Sequence, residues 1–206
     1  MPPNPFRCGG AAMIEAELES LKAEARRDMR FVRGEIEPRD APLKLIENFP
    51  LELAALSPVA GYWPVGSEID GRPLLAALAK AGRQIALPRM IDRTDARFYA
   101  WRGGDALSAD AFGVPAPPPS KEVAPRLIIT PLLAFDREGR RLGQGGGHYD
   151  RIISFHRAHG AVAVGIAYAE QEMPRVPAGA HDAHLDWVIT PQEAIRCGAD
   201  GLRGRS

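Results

Sequence analysis

Cysteine is nearly missing from this chain: its 206 residues contain two, Cys8 and Cys197. They lie near opposite ends with no Cys-x-x-Cys spacing, so neither a disulfide framework nor a zinc cage follows. An excess of one charge is missing too, since Lys plus Arg and Asp plus Glu number 26 each. Most nucleic-acid and membrane-surface binders carry a basic excess, so a small-molecule site is expected, with no nucleic acid and no membrane as partner. No apolar run approaches the roughly 18 residues that span a bilayer. Pro2, Pro3, Pro5 and Arg7 stand where a secretion signal has its apolar core. The expectation is a cytoplasmic protein with residues 1–12 as a disordered tail, 13–198 as one domain and 199–206 as a C-terminal tail.

What is present is a 45% hydrophobic composition, enough for one good core. Ile14, Leu18, Leu21, Ala25 and Met29 recur at helical spacing, predicting a helix over Met13–Arg33 that ends at Gly34. Lys22, Arg26 and Arg30 follow one another four residues apart on its flank, a row that is ordinarily a solvated face. A second helical stretch, Pro42–Leu56, should be divided or kinked at Pro50. Strands are expected at Val59–Pro64, Gln84–Leu87, Arg97–Trp101, Arg126–Pro131, Ala161–Ala167 and Trp187–Thr190. Helices are expected at Arg72–Ala81, Tyr149–His159 and, opened by Pro191, Gln192–Cys197. The proline-rich segment Gly113–Pro125 reads as an extended strap. This alternation implies a single α/β domain, Rossmann-like and three-layered, with a mostly parallel sheet flanked by helices.

The most telling segment is Arg141-Leu142-Gly143-Gln144-Gly145-Gly146-Gly147-His148-Tyr149-Asp150, after the apolar run Leu127–Phe135. Four glycines in five positions let successive N–H groups approach anionic oxygens, as a phosphate cradle requires. Arg141 adds charge and Asp150 a hard oxygen ligand for a divalent cation. The bland alternative is a flexible linker. A P-loop is excluded because His148-Tyr149 replaces the required Lys-Ser or Lys-Thr, and a dinucleotide fingerprint because His148 fills its third glycine position. The loop on its own says anion and leaves the ligand open.

The run Leu127 to Asp136, then Gly139, then Arg141 to Arg151, closely resembles the signature of the 5-formyltetrahydrofolate cyclo-ligase family. The resemblance extends to Tyr62–Asp70, Leu87–Arg89, Phe112–Pro117 and Pro177–Thr190, so it runs in order from about residue 20 to about 190. It implies an enzyme that uses ATP and Mg2+ to close 5-formyltetrahydrofolate into 5,10-methenyltetrahydrofolate, releasing ADP and phosphate. The formyl oxygen is phosphorylated and N10 then attacks the activated carbon. Phosphoryl transfer asks for positioning and charge neutralisation, which suits a chain without an evident Ser-His-Asp or Cys-His signature. Position by position, the resemblance implies ATP contacts from Lys22, Arg26, Arg141, Leu142, Gly143, Gln144, Gly145, Gly146, Gly147, His148 and Tyr149. It implies magnesium at Asp150 and Asp182, folate at Trp63, Glu68 and Tyr149, and catalysis by Arg141, Tyr149 and Asp150.

Simpler roles compete at several of these positions. Trp63 beside Pro64 also suits packing, and Glu68 and Asp70 suit helix N-terminal charges. His181, Asp182 and His184 lack further ligands at zinc spacing, and His156 and His159 read as surface residues. His148 stands where the family usually has tyrosine or phenylalanine, and Ala25 where it often has leucine. The competing functions are a non-catalytic folate- or nucleotide-binding module of the same fold and an enzyme acting on another phosphate ester. A monomer is expected.

Overall fold

The computed structural model describes residues 9–198. Of the expected disordered tail 1–12, residues 9–12 belong to the first helix, while 1–8, like the expected tail 199–206, lie outside the described residues. Helix α1 spans Gly9–Gly34, starting ahead of the expected Met13. After it come α2 (Ala41–Asn48) and α3 (Leu51–Ala54), divided at Phe49-Pro50 as the proline demands. The chain continues through β1 (Val59–Ala60), α4 (Arg72–Lys80), β2 (Ile85–Met90), β3 (Ala96–Ala100), β4 (Ser108–Ala109) and β5 (Pro115–Ala116). Its second half comprises β6 (Leu127–Pro131), β7 (Ala134–Phe135), β8 (Arg141–Leu142), α5 (His148–Arg157), β9 (Val162–Ile166), a 3-10 turn (Ala169–Gln171), β10 (Trp187–Ile189) and β11 (Ala194–Arg196). No helix among the described residues is long and apolar enough to cross a membrane.

Seven strands form the main sheet in the order β11-β10-β9-β6-β1-β2-β3. The five inner strands are parallel; β3 and β11 close the edges antiparallel. Continuous apolar runs such as Leu127-Ile128-Ile129 are explained by burial of both sheet faces. Leu127 and Ile129 pack with Leu74, Leu75 and Leu78 of α4, while Ile128 turns to the other face, against Ile152 of α5. Helix, sheet and helix make three layers. The chain winds from β1 to β2 in one direction and from β6 to β9 and β10 in the other, so the switch point lies between β1 and β6. Their carboxyl ends are where such a sheet opens a binding crevice.

Three expectations are corrected. The closing segment is strand β11 and not a helix. The buried Thr190 Oγ1 accepts from the N–H groups of Gln192 and Glu193 at 3.2 and 3.0 Å, reversing the chain so that Ile195 pairs with Val188. Pro191 suits that turn as well as it suits a first helical position. Strand β1 ends at Ala60, because the segment beyond it bends away toward the crevice. Between β6 and the glycine loop stands an unexpected hairpin, β7–β8. Asp136, 1% exposed, organises its turn by accepting from the N–H groups of Glu138 and Arg140, the Arg140 guanidinium and, across the fold, the Val176 N–H.

Candidate active site

A cavity of about 560 Å3 opens at the switch point. Val65 and Glu68 reach it from the segment after β1, Pro131 and Leu132 from the end of β6, and the whole of 141–150 from the glycine loop and the start of α5. Gly147 caps α5 with φ +64, and a Cβ there would stand 3.1 Å from Arg151 Nη1. Only glycine meets both conditions without strain. Free N–H groups of the ten-residue α5 add partial positive charge at that end of the cavity.

The basic row on α1 is a solvated face only in part: Lys22 is buried and Arg26 half-buried, while Arg30 is exposed. Lys22 and Arg33 are 7% and 5% exposed, whereas Leu21, counted with the apolar stripe, is 50% exposed. The buried line of α1 is Lys22, Ala25, Met29 and Arg33, and the helix lies along the loop. Arg26 Nε donates to the Gly143 carbonyl at 3.3 Å and Arg30 Nε to the Gln144 side chain at 3.1 Å. On the opposite side, Arg151 donates to the carbonyls of Arg93, Thr94 and Gly146. Both latches fix a loop that would otherwise be mobile.

Cations and carboxylates alternate at this end. Lys22 Nζ is 2.7 Å from Asp182 and 3.2 Å from Glu19. Burial disfavours the Lys22 ammonium, but the two carboxylates outweigh it and hold its pKa above the ordinary value. Burial also pushes Asp182 upward; the Lys22 ammonium, the Gly179 N–H and Arg141 reverse this, leaving the carboxyl below its usual range. Arg141, buried, donates from Nη2 to Asp150 at 2.8 Å and from Nη1 to the Ala183 carbonyl. The Ala183 N–H in turn donates to Asp150 at 3.0 Å. Asp150 and Asp182 are thus joined across Ala183. Asp150 and Asp182 both line the cavity with the glycine loop, and two carboxylates are a donor set of the kind magnesium takes together with anionic oxygens and water.

The cavity also has an apolar lining, Val65, Met90, Phe112, Val114 and Leu132, in which Glu68 is the carboxylate outside the Lys22–Arg141 cluster. Glu68 takes the Val65 N–H at 3.0 Å; Asp70 takes the Arg72 N–H at the start of α4. The helix-terminal role therefore belongs to Asp70 alone. Burial raises the Glu68 pKa against the Val65 hydrogen bond and the Arg33 charge. Tyr149 lines the cavity too, its hydroxyl held well above the usual range first by burial and then by Glu68. His148 packs edge-on against Phe112, ring centres 5.4 Å apart, and burial beside Arg151 lowers its pKa, favouring the neutral ring.

One expected residue is elsewhere. Trp63 does not line the cavity; it packs edge-on against Trp101 at 6.2 Å, under the Arg72 guanidinium at 4.9 Å. The other expected positions, Lys22, Arg26, Glu68, Arg141 to Asp150 and Asp182, all line it. Glu19, Arg33 and Phe112 join them without having been singled out. For Arg33 a signal existed: it stands three helical turns after Lys22, on the same flank as Arg26.

Comparison with known proteins matches residues 15–191 to the model of the 5-formyltetrahydrofolate cyclo-ligase family. The 5-formyltetrahydrofolate cyclo-ligase of Escherichia coli is 30% identical over 188 residues, covering 88% of this chain and 98% of that protein. The Mycolicibacterium smegmatis protein of the same name is 34% identical over 149 residues, 66% of this chain and 75% of its own. The NMR structure of Aquifex aeolicus 5,10-methenyltetrahydrofolate synthetase superposes with a TM-score of 0.75 at 29% identity, covering 90% of this chain and 95% of that one.

Proposed function

Because the chain belongs to the 5-formyltetrahydrofolate cyclo-ligase family and is an enzyme of that activity, we propose that it closes the ring by ATP-dependent phosphorylation of the formyl oxygen. The observation that carries this reading is one cavity with two unlike ends: a glycine cradle with cations and paired carboxylates, and an apolar wall holding Glu68. The cradle, Lys22, Arg26 and the α5 N-terminus take the triphosphate. Asp150 and Asp182 hold Mg2+, which supplies charge neutralisation on the phosphates. Arg141 keeps Asp150 in place, and the apolar end with Glu68 takes the folate.

The formyl oxygen attacks the γ-phosphorus as its bond to the β-phosphate oxygen breaks, giving ADP and an activated one-carbon unit. N10 then adds to that carbon and gives up its proton, and the carbon–oxygen bond breaks with its electrons leaving on phosphate. The protein's part is alignment and charge, with Tyr149, kept protonated, offering a hydroxyl between the ends. The reading includes a cytoplasmic monomer acting on two small molecules. Its test is stoichiometric: ADP and phosphate should appear one for one with substrate consumed, and only when 5-formyltetrahydrofolate and a divalent cation are both present. ATP hydrolysis indifferent to the folate would contradict it.

A further inference from the structure

Arg33 stands in the last turn of α1 and lines the cavity, with a side chain 6% exposed. A guanidinium so buried ordinarily forms a two-pronged bond to a carboxylate. Here it does not. Nη1 donates to the Leu132 carbonyl and Nε to Ser67 Oγ, each at 3.1 Å, while Glu68 Oε1 stands 4.0 Å from Nη1. Glu68 is fixed instead through Oε2, which accepts from the Val65 N–H at 3.0 Å. Oε1 therefore sits in the field of a buried cation but accepts no hydrogen bond among the described residues, so its lone pairs are open to a donor in the cavity. Arg33 also ties together three segments that build this end: α1, the residue after β6, and the loop after β1.

We propose that Arg33 is a positioning residue for substrate recognition, holding Glu68 ionised with Oε1 presented to an N–H donor of the ligand's ring. The proposal rests on the reading that this end takes the folate. It has a physical need behind it, because burial alone drives Glu68 toward the neutral acid and Arg33 opposes that. The Val65 N–H lowers the Glu68 pKa more than Arg33 does, but it is a backbone donor that R33Q leaves in place. Tyr62 and Tyr149 are both kept protonated by burial, and Arg30 acts on Arg33 by repulsion. Lys22, Arg26, Arg141, Glu19, Asp150 and Asp182 line the phosphate end, with His148 on the rim.

The test measures binding of 5-formyltetrahydrofolate without ATP across pH for the wild type, R33Q, E68Q and the double variant. The wild type should lose affinity as pH falls through the Glu68 pKa. In R33Q that loss should move upward by about one pH unit or more, as withdrawal of a neighbouring opposite charge does. In the E68Q background R33Q should cost nothing further, whereas a merely structural role would add its loss in both backgrounds. His148 is common to all four proteins, so its titration cancels. R33K keeps the charge and should hold the wild-type midpoint, which provides the measurement if R33Q does not fold. An unmoved midpoint in R33Q, a raised one in R33K, or additive losses would overturn the proposal while leaving Glu68 as a folate ligand. Normal binding by E68Q would overturn both.

Discussion

Arg141 divides one guanidinium between a carboxylate and a backbone carbonyl. It lines the cavity beside the glycine loop, yet its hydrogen bonds go to Asp150 and the Ala183 carbonyl. Arg141→Ala should therefore weaken Mg-ATP binding by roughly 1.5–3 kcal/mol, the scale of a charge-assisted bond, and leave folate binding nearly unmoved. Paired titrations of the two substrates check this. Asp182 offers a pH test. Its folded pKa lies below the ordinary 3.8, so the stability it contributes is present above that value and is lost as pH falls through the depressed folded value. Denaturant unfolding should show Asp182→Asn less stable than wild type near neutrality, with the gap closing in acid. Most of the charged residues that line the cavity were legible in sequence because motif and spacing bring them together. Trp63 could not be placed from sequence, since an aromatic beside proline suits packing and ligand equally well, and its contact with Trp101 is far along the chain. Arg33 was missed because a buried cation at a helix end looks, in sequence, like any favourable C-terminal charge.

At the scale of elements, the glycine loop works because it is latched rather than because it is flexible. Gly147 shows the constraint most sharply, with its left-handed φ at the cap of α5 and Arg151 against its face. Gly147→Ala should cost about 1–2 kcal/mol of stability, the penalty of left-handed backbone for a residue with a Cβ. Chemical denaturation should show it, and the Kd for Mg-ATP should rise as well because the cradle opens. Helices α2 to α5 and the inner strands were readable from periodicity and continuous apolar runs. The hairpin β7–β8 was not. Its two-residue strands carry no periodicity, and the anchor of its turn, Asp136, is recognised only through its partner Val176 across the fold. Strand β11 was lost to the ambiguity of Pro191, which Thr190 resolves by hydrogen bonds that sequence patterns do not display.

The whole molecule is a doubly wound sheet whose switch point supplies the crevice, with α1 laid across it to bring cations to the loop. Site and stability are therefore coupled. Saturation with Mg-ATP at about a hundred times its Kd should add about 2.7 kcal/mol by mass action, read as a rise in Tm, with slowed amide exchange in α1 where it meets the loop. The proposed Mg2+ at Asp150 and Asp182 should contribute part of that gain, so ATP with EDTA should give less. The proposed reaction converts 5-formyltetrahydrofolate to the methenyl compound in this cavity at the expense of ATP. The methenyl product has a near-ultraviolet absorbance band that the formyl substrate lacks. Mixing the purified protein with substrate and Mg-ATP should make that band grow, and omitting ATP or adding EDTA should abolish it. No band with all components present, or an equal band without ATP, would contradict the account.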